Sequence, residues 1–328
     1  MEAVSVVQLD NSNIKPAIPR IGLGTSGLSS VYGTSKDEKS IKLLNRAIDL
    51  GCTLWDTADI YGGGHNEKLL SQVLQTRRSE VFLCSKFGIG FRPHESKGRF
   101  DYSRCLDNRN GRPGYIRKAV KDSLERLGVD YIDLYYHHCM ASDVAIEETI
   151  EAMAKLVKEG KIRYIGLSNY TAEAIRRAHK VHPITAVQVE YSACSTQIEY
   201  NEVLYTCRKL NITVVAYAPL GRGIMTGKFR SINDLEEGDL RRTIPRFATD
   251  YLPRNLELAQ EFKTIAEKRG CTTSQLALAW VLAQEANLIV IPGTRKIKHL
   301  EENFAAANIT LTEEELGKLR LLVDDANI

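Results

Sequence analysis

Short apolar runs alternate with amphipathic segments from Ile21 to the end of the chain, and this alternation limits the folds open to it. Strands buried on both faces are continuous apolar runs, and a parallel pair needs a helical crossover. Eight such units in 328 residues predict an α/β fold, a (β/α)8 TIM barrel, as one domain over 1–328. The predicted strands are Ile21–Gly24, Cys52–Asp56, Val81–Lys86, Tyr131–His137, Ile162–Leu167, Ala186–Glu190, Thr213–Tyr217 and Leu288–Ile291.

Helical periodicity is clearest in Tyr115–Leu127 and Ala145–Lys158, whose apolar residues fall on one face. Gly128 and Gly160 follow these segments, where helices commonly end. Thr312–Asp325 predicts a terminal helix.

Two connections are long, Phe87–Pro113 after the third strand and Ala218–Arg254 after the seventh. Long loops on a compact domain are usually functional, so both are predicted at the active face. Residues 1–17 read as a polar lead-in with a hairpin that closes the barrel base.

Composition excludes several classes of protein. A net charge of +3 does not indicate nucleic-acid binding, and no apolar run is long enough for a bilayer. Met1–Val4 does not start a secretory signal. The seven cysteines form no Cys-x-x-Cys pair, which favours reduced thiols. We therefore expect a cytoplasmic protein without membrane or nucleic-acid partners.

Polar side chains end three neighbouring predicted strands. Asp56 ends the second, Lys86 ends the third, and His137 and His138 come at the end of the fourth, while Tyr61 lies in the loop after Asp56. The carboxyl ends of barrel strands meet at one mouth, where TIM-barrel enzymes carry their catalytic groups. We therefore expect these side chains to meet.

This grouping suits proton transfer to a carbonyl. A buried lysine needs a partner, and Asp56 supplies one for Lys86. A nearby ammonium lowers the pKa of a phenol from about 10, so Tyr61 would release a proton more easily near neutral pH. Each residue alone has a plainer explanation, as a surface lysine, a packed turn aromatic or a core histidine. All of them at successive strand ends make that explanation weaker.

Six segments resemble the aldo-keto reductase superfamily in sequence and in order. Within it, the chain resembles the fungal, plant and bacterial members around YakC and perakine reductase. The segments are Asp56–Tyr61, Ser85–Lys86, Asp133–His138, Gly166–Asn169, Tyr217–Gly223 and Ile291–Thr294, and the likeness extends from about Ile21 to Asn303.

The resemblance implies a catalytic tetrad of Asp56, Tyr61, Lys86 and His138. Tyr61 would be the general acid, tuned by Lys86 and Asp56. His138 rather than His137 would orient the substrate carbonyl, because the family's histidine lies four positions after the leucine of Leu-Tyr-x-x-His. No metal is expected, since a nicotinamide cofactor supplies the hydride.

The segment Gly22–Gly27 matches the letters of the G-x-G-x-x-G dinucleotide pattern. A helix does not follow directly, and Asp56 comes too late to be the ribose-binding acid. We interpret the glycines as a tight first barrel loop, with Gly24 and Thr25 near the nicotinamide.

A stronger cofactor signal follows the eighth strand. Ile291–Lys298 carries a hydroxyl and three cations at a predicted helix start, where backbone N–H groups favour an anion. Barrels of this kind bind phosphate after strands seven and eight. These features favour NADPH over NADH, with the 2′-phosphate near Thr294, Arg295 and Lys296. A solvated basic turn is the plainer alternative.

The resemblance implies further cofactor contacts along the same groove. His299 stands where relatives often carry Arg or Gln, which predicts weaker or pH-dependent NADPH affinity. The implied contacts are Ser168, Asn169 and Gln188 at the nicotinamide amide, Tyr217 on its ring, Pro219, Leu220, Gly221, Arg222, Gly223 and Lys228 along the pyrophosphate, Glu302 and Asn303 near the adenine, with Asp56 and Gly293 also in the groove.

The sequence thus predicts NADPH-dependent reduction of an aldehyde or ketone, with two alternatives. A regulatory subunit of a membrane channel shares the superfamily, but no segment here suggests a channel-blocking extension. An aldolase using Lys86 as a Schiff-base nucleophile leaves Tyr61 unexplained.

The substrate is predicted to be a small carbonyl compound, polar or aromatic. Its pocket is expected between the two long loops and residues near Trp55 and His137. The loop side chains proposed for it are Tyr102, Arg104, Arg109, Arg112 and Phe247.

Overall fold

The computed structural model of the protein describes residues 6–8, 17–29, 36–89, 109–141, 144–237 and 239–326. Eight parallel strands are hydrogen-bonded to one another in chain order. The bridges Ile21–Val290 and Gly24–Gly293 join the last strand to the first, which confirms the predicted TIM barrel. The strands are β3 (Leu23–Gly24), β4 (Leu54–Asp56), β5 (Phe82–Phe87), β6 (Ile132–His137), β7 (Ile162–Ser168), β8 (Ala186–Glu190), β9 (Thr213–Tyr217) and β10 (Leu288–Ile291).

Side chains alternate between the barrel interior and the helical layer, as the period of two in a strand requires. Leu54, Cys84, Leu134 and Tyr136 pack together inside the barrel. Residues with the opposite parity, such as Trp55, join the larger core that lies against the helices. The strand-end residues Asp56, Lys86 and His138 therefore share the parity of the interior.

Ten helices surround the barrel in the described part of the chain. They pack side by side against their neighbours, and several end at a left-handed glycine such as Gly51 or Gly128. They are α1 (Asp37–Leu50), α2 (His65–Arg77), α3 (Pro113–Leu127), α4 (Ile146–Lys158), α5 (Ala172–Val181), α6 (Val203–Lys209), α7 (Leu252–Arg269), α8 (Thr273–Ala283), α9 (Ile297–Ala305) and α10 (Glu313–Ala326).

An antiparallel hairpin lies at the base of the barrel, as the sequence predicts. Its strands are β1 (Val6–Gln8) and β2 (Ala17–Pro19), so the second strand extends past the predicted limit of residue 17. Val7 and Ile18 pack against the interior side chains and fill the base.

Long connections follow β5 and β9, the third and seventh barrel strands. The first begins and ends with the antiparallel bridge Ile89–Arg109, and Tyr102 and Arg104 lie outside the described residues. The second contains four short 3-10 segments, and α7 begins at Leu252, earlier than predicted. None of the helices in the described ranges is long and apolar enough to cross a membrane.

Candidate active site

The ammonium of Lys86 is the centre of the polar cluster at the barrel mouth. It donates to the Asp56 carboxylate, to the backbone carbonyl of Thr57 at 2.8 Å and to the Tyr61 hydroxyl at 3.2 Å. Lys86 is 0% exposed and Asp56 is 2% exposed. An ammonium has three donors, so these acceptors satisfy it as a cation.

Asp56 is the buried counter-charge of Lys86. Burial raises the pKa of the Asp56 carboxyl, while the Lys86 charge and the hydrogen bonds from Lys86 and Gln188 act in the opposite direction. The Gln188 amide donates to the second carboxylate oxygen at 2.7 Å. Asp56 is thus held from two other strands, β5 and β8.

His138 faces Tyr61 across the mouth. Their ring centroids lie 6.1 Å apart and the rings are nearly perpendicular, at 82°. Burial, followed by the charge of Lys86, holds the pKa of His138 well below its usual range. The imidazole is therefore neutral at physiological pH and suits hydrogen bonding to a carbonyl oxygen.

His137 points the other way because neighbouring strand residues face opposite sides of the sheet. Its ring stacks on Phe87 at 4.9 Å, and Nδ1 lies 2.5 Å from the Tyr170 hydroxyl. Burial lowers the pKa of His137 to about 4. The geometry therefore separates the two histidines and brings only His138 to Tyr61.

The residues of this strand-end cluster lie within a stretch of sequence that matches a known protein family. The model of the Aldo/keto reductase family matches residues 20–324. The chain belongs to the aldo-keto reductase family.

Relatives in this family cover nearly all of the chain. The "Aldo-keto reductase yakc [NADP(+)]" of Schizosaccharomyces pombe is 44% identical over 315 residues, 95% of this chain and 90% of the relative. "Aldo-keto reductase str7" of Strobilurus tenacellus is 44% identical over 321 residues, with the same coverage. The YakC-like resemblance is thereby confirmed.

Solved structures of aldo-keto reductases share the architecture. The glycerol dehydrogenase of Gluconobacter oxydans superposes with a TM-score of 0.86 at 30% identity, covering 99% of this chain and 95% of that one. An aldo-keto reductase of Klebsiella pneumoniae in complex with NADP and acetate has a TM-score of 0.74 at 29% identity, covering 98% and 96%.

The predicted nicotinamide-side residues form a connected group in this aldo-keto reductase. The Tyr217 hydroxyl donates to Asn169 Oδ1 at 3.1 Å, and Asn169 Nδ2 donates to Ser168 Oγ at 3.2 Å. Asn169 has a φ of +57°, a left-handed conformation that asparagine tolerates. Burial raises the pKa of Tyr217 to about 12, so the ring is neutral.

The segment predicted along the pyrophosphate, Pro219–Gly223, turns sharply at Arg222 and Gly223, whose φ values are +55° and +109°. Arg222 forms an ion pair with Glu190 at 3.2 Å, and Arg246 forms a second ion pair with the other oxygen of Glu190 at 2.7 Å. Glu190 thus ties this loop to the end of β8.

Gly24 and Thr25 have different structural roles at the end of the first barrel strand. A Cβ on Gly24 would lie 2.7 Å from the Ile291 carbonyl oxygen, so only glycine allows the approach of β3 to the end of β10. The Thr25 side chain is fully buried; its hydroxyl donates to Asn66 Oδ1 at 2.7 Å and also lies 2.8 Å from the Asp56 carbonyl oxygen.

Cationic groups gather where α9 begins, after β10. Thr294 Oγ1 accepts from the Lys296 N–H at 3.1 Å, and Lys228 Nζ lies 3.4 Å from His299 Nε2. Exposed Lys296 and Lys298 flank the helix start. This donor set fits a phosphate anion.

A cavity of about 320 Å³ lies beside these cations and reaches Lys228, Lys298 and Glu302. Glu302 accepts from the Thr272 hydroxyl at 2.9 Å, whereas Asn303 is 5% exposed. Glu302 thus borders open space, and Asn303 faces the packed side of α9. The exposed Gly293 and Arg295 lie at the start of this segment.

Three side chains near the expected substrate pocket are buried. Trp55 is 0% exposed and its indole donates to the Cys52 carbonyl, on the helix side of β4. Phe247 packs edge-on against Phe229 at 5.5 Å. His137 is buried against Phe87, whereas Arg109 and Arg112 are exposed.

Sequence reasoning missed two buried polar residues, Asn66 and Glu67, at the start of α2. Polar residues after a glycine turn usually face solvent, so no local pattern separates this pair from a surface turn. Among the residues that the structure describes, no group of three or more His, Cys, Asp or Glu side chains is arranged to hold a metal.

Proposed function

We propose that this protein is an NADPH-dependent carbonyl reductase in which Tyr61 donates the proton. The observation that carries the proposal is the buried Lys86 ammonium bonded to both Asp56 and Tyr61. The substrate is a small aldehyde or ketone, and the product is the alcohol. The relatives named for NADP(+) or bound to NADP support the cofactor.

Each tetrad residue has a role that follows from its contacts. When bound, NADPH supplies the hydride that reduces the carbonyl carbon. Tyr61 gives its proton to the carbonyl oxygen, and Lys86 stabilises the phenolate that remains. Asp56 balances the Lys86 charge, and neutral His138 donates a hydrogen bond that orients the carbonyl.

The remaining cofactor assignments are proposed on position and chemistry. Ser168, Asn169 and Gln188 would hold the nicotinamide amide, and Tyr217 would contact its ring. Gly24 and Thr25 are kept close to that end, where Thr25 would act by its position, because its hydroxyl, its N–H and its carbonyl are all hydrogen-bonded within the protein. The phosphates would be held by Pro219, Leu220, Gly221, Arg222, Gly223 and Lys228 and by Gly293, Thr294, Arg295, Lys296 and His299, and the adenine by Glu302 and Asn303.

We also propose that residues 1–328 form one domain and that the protein is cytoplasmic. The family model covers residues 20–324. The six cysteines in the described ranges all have free thiols, which fits a reducing compartment. The aldolase alternative is disfavoured, because a Schiff-base lysine must react as a neutral amine, whereas Lys86 is held by three acceptors.

The test begins with a screen of aldehydes, ketones, sugars and pyridoxal that follows NADPH consumption, repeated with NADH. On an accepted substrate, Tyr61→Phe is expected to lower kcat by about 10²- to 10⁴-fold with NADPH binding retained. Tyr205→Phe, at a tyrosine 56% exposed on α6, is the matched control. Undiminished turnover by Tyr61→Phe would remove Tyr61 from the acid role.

A further inference from the structure

Tyr61 lies at the start of a glycine-rich turn whose own residues do little to restrict its backbone conformation. Gly62, Gly63 and Gly64 follow it with φ values of +58°, +62° and +89°. Glycine reaches such angles without strain, but it also has the most conformational freedom to lose. The proton donor therefore depends on contacts from outside the turn for a fixed position.

Asn66 supplies the first of these contacts from α2, directly after the turn. Its Oδ1 accepts from the hydroxyls of Thr25 and Thr57, each at 2.7 Å. Its Nδ2 donates to the Thr25 carbonyl at 2.9 Å and to Ser29 Oγ at 2.7 Å. Asn66 is 0% exposed, and these four bonds use the full capacity of its amide.

The Asn66 network leads directly to the catalytic lysine. Thr57, whose hydroxyl bonds Asn66, also offers its carbonyl to Lys86 Nζ at 2.8 Å. A displacement of Asn66 therefore moves one of the three acceptors that orient the ammonium.

Glu67 supplies the second contact, to β5. Its carboxylate accepts from Ser85 Oγ at 2.7 Å and from Arg126 Nε at 2.7 Å, and it is 0% exposed. Ser85 immediately precedes Lys86. Arg126 in turn packs on the turn, because a Cβ on Gly64 would lie 2.8 Å from Arg126 Cδ.

The charge on Glu67 is matched inside the protein. The other acid nearby, Asp59, has a pKa raised well above its usual range by burial and then by Glu67. Burial thus favours the neutral form of Asp59, whereas Glu67 has the Arg126 guanidinium as a directly bonded partner. Buried ion pairs contribute little net stability relative to apolar packing, so stability alone does not explain this pair.

We propose that Asn66 and Glu67 are positioning residues that fix the Tyr61 turn against the strands carrying Asp56 and Lys86. Asn66 sets the acceptor geometry around Lys86, and Glu67 sets the distance between the turn and β5. This inference rests on the proposed function, in which Tyr61 and Lys86 act together.

The test compares Asn66→Asp and Glu67→Gln with the wild-type enzyme. Both changes keep the side-chain shape. Asn66→Asp replaces the two N–H donors of the amide by an acceptor oxygen, and Glu67→Gln removes the carboxylate charge. We expect kcat to fall about 10- to 100-fold, because small misplacements of a reacting group have effects of this size. NADPH affinity, followed by protein fluorescence, is expected to change less than about twofold, since neither residue belongs to the proposed cofactor contacts.

A second readout separates positioning from a loss of folded protein. If Lys86 and Tyr61 move apart, the cation stabilises the phenolate less, and the pH profile of kcat shifts to higher pH. The folded fraction is measured as NADPH-binding stoichiometry, and kcat is expressed per binding site.

Matched controls lie far from the mouth. Glu159→Gln removes a carboxylate that bonds Arg117 at 2.8 and 3.0 Å on the surface. Asn287→Asp alters an amide that accepts from Thr213 at the base of the barrel. Both are expected to keep kcat and its pH profile.

Two milder variants decide the matter if Asn66→Asp or Glu67→Gln does not fold. Thr57→Val removes one hydroxyl from the Asn66 network, and Ser85→Ala removes one from Glu67. A lower kcat per binding site with a shifted pH profile supports the proposal. An unchanged kcat and pH profile in all folded variants would overturn the positioning proposal, while the reductase activity would still depend on Tyr61. Full activity in Tyr61→Phe would instead overturn the proposed function.

Discussion

Replacing Lys86 by methionine is expected to destabilise the protein strongly, because it leaves the Asp56 carboxylate buried without its cation. Asp56 is 2% exposed and keeps only the Gln188 amide among the side-chain bonds described above. Removing one partner of a buried ion pair costs about 3–5 kcal/mol. For 328 residues the unfolding entropy is about 0.7 kcal/mol/K, so Tm is expected to fall by about 4–7 °C.

The loss should depend on pH in a defined direction. Burial already raises the pKa of Asp56 in the folded protein, and the Lys86 charge is the largest opposing influence. Without Lys86 that pKa rises further. A carboxyl that binds its proton more tightly when folded loses stability as pH increases from its ordinary pKa to its folded one. The stability penalty of Lys86→Met should therefore grow with pH, by at most about 1.4 kcal/mol per unit.

Urea denaturation of the wild type, Lys86→Met and the double variant Lys86→Met/Asp56→Asn at pH 5 and pH 7.5 measures this. The double variant removes both charges of the Asp56–Lys86 pair, so it should recover most of the stability and lose the added pH dependence. A penalty below about 1 kcal/mol at both pH values, or a double variant as unstable as the single one, would refute the reasoning.

Three further outcomes are expected. NADPH affinity measured by calorimetry should fall as pH rises from 5 to 8, by at most about tenfold per pH unit. The reason is that burial and then Lys228 lower the pKa of His299, whereas a bound phosphate favours the protonated imidazole. NADH affinity, and NADPH affinity of the His299→Gln variant, should not depend on pH in this way. Gly64→Ala should cost about 1–3 kcal/mol because its φ is +89°, whereas Gly317→Ala in α10, where a Cβ meets nothing within 4 Å, should stabilise by about 0.5–1 kcal/mol in thermal unfolding. Arg20→Met should lower stability by about 2–4 kcal/mol, because Arg20 donates to three backbone carbonyls at the barrel base; Arg230→Met, on the surface, should leave it unchanged.

Much of the barrel is predictable from sequence because its strands are apolar runs with unmistakable ends. Ala186–Glu190, Thr213–Tyr217 and Leu288–Ile291 have their predicted bounds. The first strand is shorter than predicted, because Ile21 contributes only an isolated bridge before Leu23.

The meeting of Asp56, Lys86 and the His137–His138 pair also follows from sequence, because the ends of barrel strands share one mouth. The choice of His138 and the role of Tyr61 come with the family resemblance. What sequence does not contain is the environment supplied by distant segments. Glu67 looks like a surface acid, and only the approach of Ser85 from β5 and of Arg126 from α3 turns it into a buried one. Phe247 is likewise buried and packs edge-on against Phe229, which lies in the same long connection.

The pairing between β3 and β10, which closes the barrel, is the weakest of its strand pairings. β3 has two residues, and the join relies on bonds such as Gly22 N–H to the Val290 carbonyl at 2.9 Å and Gly24 N–H to the Pro292 carbonyl at 3.3 Å. Where Gly24 meets Gly293 there are no side chains to reinforce it. A ligand that contacts both β3 and β10 would hold this junction closed. Protection of its backbone amides against hydrogen exchange should therefore increase with cofactor occupancy.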